Sequence, residues 1–232
     1  MLLQDIDPVI RVADICKPFD LPSPLEVEVG SGKGSFLTVR AAANRDCAFL
    51  GIERMLGRVR LFANKVRRAG LDNVKIVRLE ALYVFHYLLP EHRARRVYVF
   101  FPDPWPKKRH HSHRLFGPLF LNALWKRLEI GGRIEFATDH AEYFGTVEEC
   151  FSSDPRFLRV DPMPRPREVW TEFETKFRER GMSVYSAAWQ ALPADDSPLE
   201  PLRIPPECEP REGVERRTPR DPAPACRKSN NV

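Results

Sequence analysis

The sequence has few cysteines, and none of them falls into a metal-binding or disulfide-forming pattern. The five cysteines of the 232-residue chain are odd in number and widely scattered. No two of them form a C-x-x-C pair, which argues against a zinc site and against a disulfide framework. Three neighbouring histidines, His110, His111 and His113, lack the i, i+4 spacing of a helical metal site and a nearby cysteine or carboxylate partner. The sequence therefore predicts no bound metal and a location in the reducing cytoplasm.

Long apolar runs are missing as well. No segment approaches the roughly 20 apolar residues that a membrane-spanning helix needs. Residues 1–20 lack both a basic start and a long apolar core, so they do not resemble a signal peptide. We therefore expect no contact with a membrane. The net charge is +5 with a pI of about 9.0, a mild basic excess that suits a nucleic-acid partner without proving one.

Prolines and periodic patterns divide the chain into three parts. Residues 1–24 are interrupted by prolines and are interpreted as an N-terminal arm. Residues 25–190 alternate strand and helix patterns, which predicts one α/β domain. Residues 191–232 are rich in proline and charge with little apolar periodicity, so we expect a disordered tail. The predicted strands are residues 25–29, 48–52, 74–79, 97–101, 133–137, 157–160 and 182–189.

A glycine-rich turn, residues 30–34, joins the first predicted strand to a helical pattern at residues 35–43. This order opens many nucleotide-binding sheets, because glycine lets the backbone approach a ligand and the helix start offers N–H groups. The spacing fits neither a P-loop nor the dinucleotide fingerprint G-x-G-x-x-G, whose sixth position is here Ser35. An adenosylmethionine-binding turn preceded by Glu28 remains, although a plain tight turn would also use glycine.

Carboxylates follow three further predicted strands. Glu53 is placed to accept hydrogen bonds from ribose hydroxyls, or it simply begins the basic helix at residues 55–69. Glu80 follows a predicted edge strand and would accept from an adenine amino group or start a helix. Asp139 follows the predicted strand at residues 133–137. Functional side chains cluster at the carboxyl ends of strands in such sheets, so Asp139 belongs to the site or caps the next helix. The basic residues of the helix at residues 55–69 are most simply explained as a solvent-exposed face.

The most informative stretch follows the strand at residues 97–101. Three prolines within residues 102–106 cannot continue a hydrogen-bonded ladder, so they form a stiff loop at the carboxyl end of that strand. The loop presents Asp103, the ring of Trp105 and then a cationic run that begins at Lys107. An acceptor, a stacking face and phosphate-seeking cations indicate a nucleobase held by its edge, with its backbone bound beside it. A solvated charged turn explains the polarity but not a carboxylate between two prolines.

Taken in order, these motifs resemble the bacterial tRNA (guanine-N7-)-methyltransferase family. The resemblance covers about residues 25–190 and is most specific in DPWPKKRH, because many methyltransferases share the glycine turn. It implies a Rossmann-like class I methyltransferase fold with a seven-stranded, mostly parallel sheet and an antiparallel C-terminal hairpin. It also implies S-adenosyl-L-methionine as cofactor and N7 of a guanosine in the tRNA variable loop as methyl acceptor. The chain would act as a monomer or homodimer.

The resemblance further implies roles for individual residues. Asp103 would be the catalytic carboxylate. The residues expected to contact the cofactor are Glu28, Gly30, Glu53, Glu80 and Asp103. The residues expected to bind the tRNA are Lys107, Asp139, Thr171, Glu172, Phe173 and Glu174. The cations expected to bind phosphates are Lys107, Lys108, Arg109 and Arg114.

Two features limit this interpretation, and two other functions stay open. Glu80 stands where the family more usually has Asp or Asn, and the spacing Thr171-x-x-Glu174 also matches a helix capping box. An adenine or protein-amide N-methyltransferase would often have a second proline where Trp105 follows Pro104. A non-catalytic RNA-binding protein on the same fold would be expected to lose the glycine turn or the acidic residues that are intact here.

Overall fold

The structure, a computed structural model, describes residues 3–4, 22 and 24–194 of the chain. Most of the predicted N-terminal arm, residues 1–24, lies outside the described residues. The predicted disordered tail lies outside them from residue 195 onward. The described residues are therefore almost entirely those that were predicted to form the α/β domain.

In the described residues, eight strands form one mixed sheet in the order β1-β4-β3-β2-β5-β6-β8-β7, because the short β1, from the predicted arm, is added to the seven predicted strands. Neighbours from β1 to β6 pair in parallel, whereas β8 pairs antiparallel with both β6 and β7. This confirms the predicted mostly parallel sheet with an antiparallel C-terminal hairpin. The strands are β1 Leu3–Gln4, β2 Leu25–Val29, β3 Ala48–Ile52, β4 Val74–Val77, β5 Ala94–Phe100, β6 Leu128–Thr138, β7 Phe157–Val160 and β8 Tyr185–Ala191.

Helices connect the parallel strands. In the third of them, one α-helical turn continues as a π-helical segment, Val84–Leu88. Short 3₁₀ helices occupy Lys108–His113 and Arg167–Val169. The α-helices are α1 Ser35–Ala43, α2 Leu56–Arg68, α3 Ala81–Tyr83, α4 Pro118–Arg127, α5 Ala141–Ser152 and α6 Glu172–Glu179.

The sheet has a hydrophobic core on each face. On β5, Val97 and Val99 belong to one cluster of buried side chains, and Tyr98 and Phe100 belong to the other. This follows from the strand geometry, in which successive side chains point to opposite faces. Because both faces of the central strands are covered, β3 is a continuous apolar run, whereas β2 buries two glutamates among its apolar residues.

Two local expectations are corrected by the structure. The predicted edge strand β4 also pairs with β1, since Leu3 lies opposite Ile76. The strand predicted at residues 133–137 begins earlier, at Leu128, and pairing of β6 with β5 passes from Leu128 directly to Arg133. The intervening residues protrude as a bulge, with Gly131 at a φ of +83°.

The ring of Phe62 on α2 fixes the position of the glycine turn. A Cβ atom added to Gly34 would lie 1.9 Å from Cδ2 of this ring, and one added to Gly51 on β3 would lie 2.4 Å from Cε1. Only glycine at both positions lets α2 pack this closely against the turn and the sheet. Gly34 also has a φ of +72°, a conformation that side chains with a Cβ rarely adopt.

We therefore expect Gly34→Ala to lower the free energy of unfolding by about 3 kcal/mol, combining backbone strain with displacement of Phe62. Urea denaturation measures this loss. Gly145→Ala is the matched control, because Gly145 lies within α5 and a Cβ there meets no atom within 4 Å. The control should be neutral or slightly stabilising. A loss below about 1 kcal/mol in Gly34→Ala would contradict the packing argument.

Candidate active site

The glycine turn lies at the carboxyl ends of β2 and β3. Gly30, Gly32 and Gly34 all adopt positive φ angles, of 68°, 55° and 72°. The backbone N–H of Ser31 donates to the carbonyl of Ile52 at 3.0 Å, which ties the turn to the end of β3. Helix α1 begins directly after the turn, so the positive end of its dipole faces the same region.

Glu53 holds the turn from the neighbouring strand. Its buried carboxylate accepts hydrogen bonds from the N–H of Gly32 at 3.0 Å and from that of Met55 at 2.8 Å. The guanidinium of Arg58 lies 3.8 Å from the same carboxylate. Glu53 is therefore not the exposed helix-starting residue that was the alternative interpretation. It connects the glycine turn to the start of α2.

Glu28, at the end of β2, is the least satisfied carboxylate of the site. Glu28 is buried, with a relative exposure of 3%. Its Oε2 atom has no hydrogen-bond partner among the described residues. Burial and, after it, the charge of Glu53 raise the pKa of Glu28 well above its usual value. A buried acceptor without a partner fits a ligand that brings a cationic N–H donor.

A pocket of about 320 Å³ opens beside Glu28 and the glycine turn. Its opposite wall is formed by Thr171, Glu172 and Phe173, which we call the 171–173 wall. The pocket thus brings two predicted cofactor residues together with three predicted substrate residues. The lining residues are Glu28, Gly30, Ser31, Gly32, Lys33, Ser35, Phe36, Arg58, Phe100, Thr171, Glu172, Phe173 and Lys176.

Glu172 fastens the 171–173 wall to the glycine turn. Its carboxylate lies 2.8 Å from Nζ of Lys33 and 3.4 Å from Nζ of Lys65 on α2, and it accepts from the hydroxyl of Ser35 at 3.3 Å. Burial opposes ionisation of Glu172, but the two lysines outweigh it and lower the pKa of this carboxyl. The wall is therefore held by the same turn that forms the other side of the pocket.

Glu174 faces the protein interior rather than the pocket. Its side chain is fully buried and its Oε1 atom lies 3.2 Å from Arg165 and 3.0 Å from Arg178. The guanidinium of Arg165 in turn covers the ring of Phe100, at 4.3 Å from the centroid. Thr171 caps α6 by accepting from the N–H of Glu174 at 3.1 Å, as the capping-box spacing predicted. Both residues position the wall.

The Asp103 loop leaves β5 beside the glycine turn, because Val99 pairs with Val29. Phe101 and Trp105 adopt φ angles of 53° and 43°, which cost about 1–3 kcal/mol each for residues of this size. Asp103 lies between these strained residues with an exposed side chain. Its carboxylate makes no hydrogen bond or ion pair with any described residue, so it is open to a ligand.

Arg114 corrects one expectation, since it is an anchor and not a phosphate-binding residue. Its nearly buried side chain donates to the carbonyl of Pro104 at 2.9 Å and makes a bidentate ion pair with Glu142 on α5. The guanidinium also stacks over the ring of Tyr143 at 4.9 Å. The cations exposed on the loop are Lys107, Lys108 and Arg109.

Glu80, Asp139 and Lys107 lie outside the pocket lining. Glu80 caps α3 by accepting from the N–H of Tyr83 at 3.0 Å, and its side chain is exposed. The cap of α5 is His140, because the His140 ring accepts from the N–H of Tyr143, so the alternative role of Asp139 as this cap is not found. Asp139 is half-buried at the end of β6, the strand that neighbours the Asp103 loop.

Two basic residues at or near the pocket were not identified from the sequence. Arg58 lines the pocket and Lys65 binds Glu172, although the basic helix was interpreted as a solvated face. The spacing of seven residues places both on one side of α2, which is the signal that could have identified them. Phe100 and Lys176 also line the pocket without having been singled out.

The described residues contain no group of three or more His, Cys, Asp or Glu side chains that could hold a metal ion. Cys47 and Cys150 are free thiols. No helix in the described part of the chain is both long and apolar enough to span a bilayer.

Comparison with known proteins identifies the family. A family model described as "Putative methyltransferase" matches residues 22–187. The tRNA (guanine-N(7)-)-methyltransferase of Halorhodospira halophila is 33% identical over 190 residues, which cover 78% of this chain and 81% of that protein. The enzyme of the same name from Chromohalobacter salexigens is 35% identical over 182 residues, 75% of this chain and 72% of that protein.

Solved structures support the same fold at much lower identity. The 16S rRNA methyltransferase KamB superposes with a TM-score of 0.56 at 13% identity, covering 82% of this chain and 96% of that one. A SAM-dependent O-methyltransferase of Thermotoga maritima gives a TM-score of 0.51 at 15% identity, covering 84% of this chain and 69% of that one. The fold is thus that of class I methyltransferases. Sequence and fold together show that the chain belongs to the bacterial tRNA (guanine-N7-)-methyltransferase family.

Proposed function

We propose that this chain transfers a methyl group from S-adenosylmethionine to N7 of a guanosine in the variable loop of tRNA. The observation that carries the proposal is the shared pocket. One wall is a glycine turn with the unpartnered carboxylate of Glu28, and the other contains the predicted substrate residues. The Asp103 loop emerges beside this pocket, because Phe100 lines it and lies three residues before Asp103.

The residues around the glycine turn fit the methyl donor, which carries an ammonium group and a sulfonium whose methyl is electrophilic. The unpartnered Oε2 atom of Glu28 is suited to accept from the ammonium group. A Cβ added to Gly30 would meet no atom within 4 Å, so this glycine leaves space on the pocket side. Glu53 and Glu80, at the tips of the next two strands, would accept from ribose hydroxyls and the adenine amino group.

A non-catalytic role on this fold is disfavoured by the same residues. Keeping Glu28 ionised while it is buried beside the charge of Glu53 is costly, and a cationic ligand offsets that cost. A protein that binds RNA alone would gain nothing from this arrangement.

The chemistry requires placement more than proton transfer. Guanine N7 has a lone pair exposed on the major-groove edge of the base and can attack the methyl group directly. The protein must therefore hold the base in line with the methyl–sulfur bond. The exposed ring of Phe173, 42% accessible in the pocket wall, offers a face against which the purine can lie.

Asp103 is proposed as the catalytic carboxylate. It would accept hydrogen bonds from the N–H donors of guanine, and its negative charge would favour the cationic product base. Lys107 and its neighbours would bind phosphates, and Asp139 would contact the substrate from the adjacent strand end. Thr171 and Glu174 would contribute to substrate binding by positioning the wall that carries Glu172 and Phe173.

Asp103→Ala should lower kcat/KM for tRNA by at least about 100-fold, because the charge that favours the product is lost. The affinity for S-adenosylmethionine should change by less than about threefold. The assay incubates unmodified tRNA with labelled S-adenosylmethionine and then cleaves the RNA chemically at 7-methylguanosine. Asp72→Ala is the control, since this side chain is 96% exposed and lies between α2 and β4. Near-normal turnover in Asp103→Ala would refute the assignment.

Affinity for S-adenosylmethionine should rise with pH above the ordinary pKa of a glutamate carboxyl and below that of the ligand's amino group. The pKa of Glu28 is raised in the folded protein, so its carboxyl becomes ionised, and able to pair with the ammonium group, as the pH rises through this value. Glu28→Gln should weaken binding about tenfold and flatten this dependence, as measured by titration calorimetry. Glu149→Gln, an exposed carboxyl on α5, should leave the profile unchanged. A Glu28→Gln profile that still rises with pH would assign the effect to another group.

Affinity for tRNA should fall with salt, because the exposed loop cations displace counterions from phosphates. Lys108→Gln should reduce the slope of log affinity against log salt concentration by roughly 0.7–0.9, the value for one phosphate contact. Arg45→Gln is the control, because Arg45 follows α1 at the amino ends of the strands. Equal slopes for the two variants would argue against phosphate binding by the loop.

A further inference from the structure

Three rings that follow Asp103 in the chain form one surface, in which Trp105 and His113 are exposed and His110 is half-buried. The centroid of the Trp105 ring lies 5.0 Å from that of His113 and 5.8 Å from that of His110. The two histidine rings lie 5.8 Å apart and are nearly parallel, with an interplanar angle of 28°. We call these three side chains the ring platform.

The backbone keeps the platform at the surface. Trp105 occupies the left-handed region with its ring 37% exposed, whereas the tryptophans Trp125 and Trp189 are buried in the core. The carbonyl of Pro104, immediately before it, accepts from the buried Arg114. A large apolar ring held in solvent by a strained and anchored loop suggests that another molecule covers it.

The surroundings of the platform select the chemistry of that molecule. Lys107, Lys108 and Arg109 follow Trp105 in the chain and are exposed. Arg109 also donates to the ring of His110 at 3.1 Å, which joins the cations to the platform. Aromatic faces bordered by cations are the arrangement with which proteins bind unpaired nucleotides, by stacking on the base and pairing with its phosphates.

The platform is not the surface that holds the reacting base. The aromatic side chains that line the pocket are Phe36, Phe100 and Phe173, and Trp105 is not among the lining residues. Asp103 lies between the pocket-lining Phe100 and Trp105 in the chain. Asp103 itself does not line the pocket, so a base that contacts it from the pocket can be adjacent in the RNA to a base on the platform.

We propose that the ring platform is a stacking site for an unpaired nucleobase adjacent to the guanosine that is methylated. The proposal rests on the proposed function and adds a second base-binding site to it. With the neighbouring base stacked on Trp105, the target guanosine is separated from its neighbour and directed into the pocket. The ligand is thus single-stranded RNA at the variable loop, not a membrane or a peptide.

Fluorescence of 2-aminopurine tests the stacking directly, because stacking on an aromatic ring quenches it. We would prepare two tRNA transcripts, each with 2-aminopurine on one side of the target guanosine. Binding of the wild-type protein should quench one of them. Trp105→Leu should abolish that quenching, and Trp105→Phe, which keeps an aromatic face, should retain part of it. Tyr87→Leu removes another exposed ring, 43% accessible, and should have no effect.

Kinetics give a second readout that a merely structural role would not produce. Trp105→Leu should raise KM for tRNA about tenfold, within the range measured for loss of one stacked base, with little change in kcat. The affinity for S-adenosylmethionine should be unchanged, which also shows that the variant is folded. His113→Ala leaves the strained backbone position intact and should give a smaller effect in the same direction.

The outcomes separate this inference from the proposed function. If the wild-type protein methylates guanosine N7 but Trp105→Leu and His113→Ala match it in both quenching and KM, the stacking site is refuted and the function stands. Quenching at neither position in the wild-type complex also refutes the site. If the wild-type protein does not methylate guanosine N7 at all, the proposed function itself fails, whatever the quenching shows.

Discussion

The packing of the Phe62 ring against Gly34 and Gly51 is the constraint on which the site depends. It brings α2 close to the ends of β2 and β3, and so places Arg58 and Lys65 at the pocket. Because the ring fills the space that two Cβ atoms would need, the turn has little freedom to move. The glycines therefore serve packing on one side of the turn and access for a ligand on the other.

Three carboxylates around the turn differ in what balances their charge. Glu53 accepts from two backbone N–H groups, and Glu172 is paired with two lysines. Of these three, Glu28 is the one with a buried oxygen that has no partner among the described residues. No group in this part of the chain therefore balances the carboxylate of Glu28, and this position favours a cation such as the methyl donor carries. The other two carboxylates hold the walls in place around it.

Local patterns in the sequence predicted the strands, the glycine turn and the proline-stiffened loop, and the structure confirms them. Contacts between distant residues could not be predicted in the same way. The pairing of Arg114 with Glu142 joins residues 28 positions apart, and it converts an expected phosphate ligand into an anchor. In the bulge of β6, a Cβ added to Gly132 would lie 3.0 Å from the Ala94 carbonyl oxygen of the neighbouring strand, a close approach that no periodicity reveals. The roles of the individual site residues remain predictions.

The contacts that hold the 171–173 wall in place differ in strength. The ion pair of Glu172 with Lys33 is about half exposed, so it contributes on the order of 0–1 kcal/mol. Glu174 is fully buried against Arg165, and removing one partner of such a pair is far more costly. The ring of Phe177 adds a contact with Phe101, at 5.5 Å between centroids. The wall is therefore anchored to the base of the Asp103 loop, and the glycine turn adds only a weak, adjustable contact. The 171–173 wall and the base of the Asp103 loop are consequently held to each other more strongly than the wall is held to the glycine turn.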